Sequence, residues 1–98
     1  MRRFNFKIFA NSEYLGEGTI EIDQSVLDQG NSDEFKKYFW TFADDEKIAA
    51  HIAWRMVVWD EKLSEIEGFM MPNELAKLVE YPHGYNDFEF IATESERK

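Results

Sequence analysis

The side chains in this sequence best equipped to drive a reaction are two histidines, His51 and His83, five serines and 20 carboxylates. Metal binding needs His, Cys or carboxylates at spacings that converge on one ion. The histidines fall in different elements, neither belongs to a His-Glu-x-x-His pattern, and cysteine is absent. His51 lies beside the core stripe of an apolar helix and reads as a structural histidine, while His83 sits in the turn "PHGYN" and reads as a loop residue. Nucleophilic catalysis would rest on a serine activated by a base, and no Gly-x-Ser-x-Gly elbow surrounds Ser12, Ser25, Ser32, Ser64 or Ser95. The "GEG" at 16–18 is only a fragment of a phosphate-cradling loop, leads into a strand instead of a helix, and carries an acid where phosphate would be repelled. The residues therefore predict no enzyme, no metal and no cofactor.

Charge is the stronger signal. Twenty acids against 11 bases give a net charge of −9. Arg2, Arg3, Arg97 and Lys98 stand at the chain ends, which leaves the residues between them more acidic still. No Lys or Arg falls between residues 8 and 35, where Glu17, Glu21, Asp23, Asp28, Asp33 and Glu34 concentrate, and Asp60, Glu61, Glu65 and Glu67 form a second group. Such a chain repels nucleic acid and anionic membranes and is attracted to basic surfaces, so any nucleic-acid connection is expected to be indirect. Without cysteine, signal peptide or bilayer-length apolar run, the expected setting is the cytoplasm.

These carboxylates have to be positioned by a small set of elements within one domain, 1–98. "RFNFKIFA" alternates, with Phe4, Phe6 and Ile8 on one face, and "GEGTIEID" supplies Ile20 and Ile22 as its partner. A hairpin closed by Asn11, Ser12 and Glu13 sets Phe4 opposite Ile20, Phe6 opposite Gly18 and Ile8 opposite Gly16. A third strand, "DFEFIAT", turns Phe88 and Phe90 inward and Asp87 and Glu89 outward. Between these strands the period becomes helical. "SDEFKKYFWTFA" carries a stripe of Phe35, Tyr38, Phe39 and Phe42 behind an N-cap at Asn31 or Ser32. "DDEKIAAHIAWRMVVWDEKL" aligns Ile48, Ile52, Met56, Trp59 and Leu63 and is expected to stop by Gly68. "PNELAKLVEY" reads as a third, shorter helix with Leu75, Leu78 and Val79 inward.

The expected fold is therefore α+β, with a small three-stranded antiparallel sheet in the order β-β-α-α-α-β, packed on one face by helices and wet on the other. On the wet face, Glu21 and Asp23 would stand about 6.6 Å apart. Carboxylates at such intervals mimic the repeating charge of a nucleic-acid backbone, unless Arg3 and Lys7 cancel Glu21 and Glu89 across neighbouring strands. The central helix is apolar nearly all round, so Trp54, Val57 and Val58 need a second cover, either inside the domain or at an interface.

A short, cysteine-free, acidic, aromatic-rich chain that starts with a β-hairpin and carries segments such as "GTIEID" and "NSDEF" resembles the phage-encoded anti-CRISPR proteins and, less closely, the ArdA antirestriction proteins. The resemblance implies a non-enzymatic inhibitor in the host cytoplasm. Its partner would be a basic nucleic-acid-binding protein or CRISPR surveillance complex, whose DNA site it blocks by charge mimicry. Such families share no universal functional residues, so the ten carboxylates named above stand as candidates on charge alone. The alternative function is a structural or adaptor protein that associates through Trp54, Val57 and Val58.

Overall fold

A computed structural model describes residues 1–81 and 89–95. Strands β1 (Arg2–Ala10) and β2 (Glu13–Ile22) form the opening hairpin. Three helices follow, α1 (Gln24–Gly30), α2 (Asp33–Tyr38) and α3 (Asp45–Val58). The chain then passes through single 3-10 turns at Leu63–Glu65 and Asn73–Leu75 into β3 (Ala76–Glu80), and β4 (Glu89–Glu94) is the last strand among the described residues. The antiparallel sheet has the order β3-β2-β1-β4, so the hairpin lies at its centre. Asp87, Phe88 and His83 lie outside the described residues.

The alternation in β1 and β2 sets the register as the sequence predicts, with Phe4 opposite Ile20, Phe6 opposite Gly18 and Ile8 opposite Gly16. The turn differs in detail. Only Asn11 and Ser12 close it, both with positive φ (51° and 72°) as a type I′ turn demands, and a bulge after Ile8 takes up the extra residue. Gly18 is required where it stands. A Cβ there would come within 2.4 Å of the Glu80 carbonyl oxygen and 2.5 Å of the Phe6 ring.

Phe4, Phe6, Ile8, Ile20 and Ile22 point into one buried cluster, and α3 covers them with Ile48, Ala49, Ile52 and Ala53. α3 begins at Asp44, whose carboxylate accepts the Lys47 amide at 2.9 Å, with Asp45 and Glu46 in the dipole-favoured first turn. Arg2 ties the layers together. It reaches Glu94 of β4 at 2.6 Å, Asp45 at 2.8 Å and Gln24 of α1 at 3.0 Å, and the carboxylates of Glu94 and Asp45 raise its pKa further above its ordinary value.

Four expectations are corrected. The sheet has four strands, because "PNELAKLVEY" is not a helix: after one 3-10 turn, Ala76 and Leu78 face the core at period two and pair with Ile22 and Ile20. The free edge of β2 offers that segment backbone partners that an isolated short helix cannot match. The stretch 24–30, where the sequence pattern predicts no element, is helical, capped by Asp23 and anchored by buried Val26 and Leu27. The second helix is only six residues long, capped by Ser32, and it leaves Tyr38 in solvent instead of in a core stripe. α3 stops at Val58, since Asp60 has a φ of 56° and both the Trp59 and Glu61 amides donate to the Arg55 carbonyl. Trp59 thereby leaves the predicted stripe and is 58% exposed, while Leu63 reaches the core from the following 3-10 turn.

Candidate functional site

The ten predicted acidic residues do not share one surface or one state. Glu21, on the open face of the sheet, accepts from Arg3 at 2.6 and 3.1 Å and lies opposite Lys77 of β3. The Arg3 hydrogen bond, reinforced by the charges of Arg3 and Lys77, holds its carboxyl below the ordinary value. One strand row thus reads Lys77, Glu21, Arg3, and a second sets exposed Glu17 opposite Lys7. Lys7 faces Glu17 and Ile91, while Glu89 lies opposite Phe9, so the anticipated cross-strand pairing of Lys7 with Glu89 is out of register. The open sheet face alternates in sign and is not an uninterrupted anionic patch.

Other members of the set have local roles. Asp23 caps α1 by accepting from the Ser25 hydroxyl at 2.6 Å and the Ser25 amide at 3.0 Å, which lowers its pKa. Glu61 takes a bidentate bond from Arg55 at 2.6 and 3.0 Å. Glu65 accepts the Lys62 amide at 2.9 Å, and exposed Asp28 accepts from Gln24 at 3.0 Å. Glu17, Asp33, Glu34, Asp60 and Glu67 are exposed and make no ion pair among the described residues.

Three of those five gather on the helical side. Asp33 and Glu34 occupy the first turn of α2, where the helix dipole favours them. Glu67 precedes Gly68, whose carbonyl accepts the Gln29 side-chain amide of α1 at 3.1 Å, so this loop is fastened beside the α1–α2 corner. Asp28 adjoins Gln29 on the same corner. Gly68 has a φ of 93°, and a Cβ on it would strike the Phe35 ring at 2.5 Å. The close approach of loop to ring opens a groove of about 470 Å³, floored by Phe35 and Phe69, walled by Tyr38, Phe39 and Met70, and edged by Glu34. Sequence reasoning placed Tyr38 and Phe39 on a core stripe and so missed the groove. Tyr38 is the last residue of α2 and Phe39 its C-cap, and both are exposed.

A second aromatic surface runs along α3. Trp54, Val57 and Val58, predicted as an apolar interface, are half-buried, and Val57 packs against the core. Trp59 is the exposed member, edge-on to Trp54 at 6.1 Å, with the Arg55 guanidinium 5.9 Å from each ring. His51 packs among Trp40, Phe42 and Trp54 at 5.2–5.8 Å, and its Nε2 has no hydrogen-bond partner among the described residues. Burial, then the nearby Arg55 charge, pushes its pKa down to about 4 against the weaker pull of Glu61, so the ring is neutral near pH 7. Among the described residues no group of three or more His, Cys, Asp or Glu is placed to hold a metal ion. No helix among them is long and apolar enough to cross a membrane.

No family model matches the chain, and neither a curated protein nor a solved structure matches it.

Proposed function

We propose that the chain is a non-enzymatic binding protein, an acidic inhibitor that sets its α1–α2 corner against a basic, nucleic-acid-handling surface and denies that surface to DNA. The observation that carries this reading is a group of carboxylates without ion pairs. On the sheet face Glu21 is matched by Arg3 and Lys77, whereas Asp33, Glu34 and Glu67 are exposed and make no ion pair among the described residues, even though Lys36 and Lys37 close the same short helix α2. Their arrangement offers complementarity and a fast approach to a cationic partner. The resemblance to anti-CRISPR proteins makes a guide-loaded CRISPR surveillance complex the partner to try first. The test is a mobility-shift titration of target DNA on a panel of such purified complexes. DNA binding should be lost as the chain is added at low salt and recover as salt rises, since surface charge pairs are screened within about 10 Å at 0.1 M. DNA binding unchanged across the panel at saturating chain would remove the surveillance-complex assignment.

A second reading is favoured by Trp59, an exposed indole packed against half-buried Trp54. In this reading the chain is an adaptor that associates through Trp54, Val57, Val58 and Trp59, and its acidity serves solubility. Light scattering over a range of concentrations separates the two, because a dimer that Trp54→Asp dissociates belongs to the adaptor reading alone.

A further inference from the structure

We propose that the groove between α2 and residues 68–70 receives one bulky apolar side chain carried on a Lys/Arg-rich segment of a protein partner. This rests on the reading of the chain as a binder of basic surfaces and assigns that reading a pocket and a ligand chemistry. The groove, at about 470 Å³, is within the range of small-ligand and side-chain sites. Its floor is buried Phe35 and Phe69, but Tyr38 and Met70 are 65% and 71% exposed, so large apolar walls face water with nothing between them. The floor and the loop behind it are held firmly. Phe35 is in ring contact with Phe39, Phe42 and Phe69 at 5.0–5.7 Å, and Gln29 fastens Gly68 from the other side.

Charge selects the occupant. Among the described residues Glu34 is the charged residue lining the groove and Glu67 adjoins it at Gly68, while Lys37, whose Nζ lies 5.4 Å over the Tyr38 ring, stands outside the lining. An apolar anchor alone would leave Glu34 and Glu67 without a counterpart, whereas an anchor flanked by Lys or Arg satisfies floor and rim together. Nucleic acid and acidic peptides are repelled. A second copy of this chain, with its net charge of −9, would bring another acidic surface against the same rim.

The experiment uses the whole chain and two fluorescein-labelled peptides of Lys and Arg, identical except for a central Leu in one and Ala in the other, read by anisotropy and by amide chemical shifts. The Leu peptide should bind about tenfold tighter, with shifts centred on Phe35, Tyr38 and Met70, because the anchor buries one side chain's worth of apolar area. Tyr38→Ala and Met70→Ala, both at exposed positions, should remove that difference, with amide spectra of each variant reporting that the fold is kept. Glu34→Lys should weaken both peptides. Equal affinity of the two peptides overturns the groove assignment while leaving the acidic-binder reading standing. Shifts centred on Trp54 and Trp59, or concentration-dependent self-association that protects the groove, overturn it as well. Failure of both peptides to bind at low salt overturns the groove assignment and the reading beneath it together.

Discussion

The Arg3 guanidinium donates to the Glu21 carboxylate at 2.6 Å across the central strand pair, and so the most regular part of the acidic stretch is neutralised where it lies. Because Lys77 faces Glu21 from β3, the same carboxylate has a cation on each side. Glu21→Lys should therefore lower thermal stability, by placing three like charges in one row, yet leave binding to a basic partner close to that of the unaltered chain. Glu34→Lys should weaken partner binding while lowering stability by only the roughly 0.3–1 kcal/mol of a charge placed against the helix dipole. Thermal melts and partner titrations on the two variants provide the comparison.

Gly68 joins backbone shape to the groove. With a φ of 93° and the Phe35 ring 2.5 Å from where a Cβ would stand, Gly68→Ala forces both a strained backbone and a displaced core ring. Urea unfolding should show a loss of about 1–3 kcal/mol, and the Leu-peptide preference should fall with it. An unchanged midpoint would mean that the 66–70 loop relaxes freely and does not brace the groove.

Acid should weaken the fold in two separable windows. His51 is held neutral in the folded state down to about pH 4, while the unfolded chain takes up a proton near 6.5. The unfolded state binds the extra proton between those values, so stability falls as pH drops from about 6.5 towards 4. The loss should be about 1–2 kcal/mol between pH 7.5 and 5, allowing for the ring's partial exposure. Glu94, held low by Arg2, and Glu21, held low by Arg3, lose their contribution only as pH falls further through the carboxylate range. Urea midpoints at pH 7.5, 5 and 3.5 resolve the steps, and His51→Phe should abolish the first alone.

The core of the hairpin was legible because strict alternation leaves one register that buries Phe4, Phe6, Ile8, Ile20 and Ile22 together. The partnership of Arg2 with Glu94 and Asp45 was not. Those residues are far apart in sequence, and a terminal arginine gives no local sign of its partners. Leu75, Leu78 and Val79 fit a helical spacing, but Ala76 and Leu78 fit a strand equally well, and the open edge of β2 decided between them. The groove was illegible for a related reason. Phe35, Tyr38, Phe39 and Phe42 form one helical stripe only if the helix runs on to Phe42, whereas it ends after Tyr38 and only Phe35 is fully buried. Carboxylates were easy to count, but which of them would meet Arg3, Arg55 or a helix end required the fold.

Trp59 provides the check on the rival reading. Sedimentation equilibrium should give a concentration-independent monomer mass, and Trp59→Ser should change stability by no more than about 1 kcal/mol, as expected for a side chain 58% exposed. A dimer lost in that variant would transfer the binding role to the α3 face.

The central claim is that unpaired carboxylates at the α1–α2 corner, and not the acidity of the chain as a whole, engage a basic partner. It is tested most directly by two charge-reversal sets in the same partner titration at low salt. Asp33→Lys, Glu34→Lys and Glu67→Lys together should weaken association by at least about a hundredfold, from loss of rim attraction and gain of repulsion. Glu17→Lys and Glu21→Lys together, on the mixed-charge sheet face, should weaken it by less than about fivefold. Equal losses from the two sets, scaled only to the charge removed, would contradict the assignment of the site.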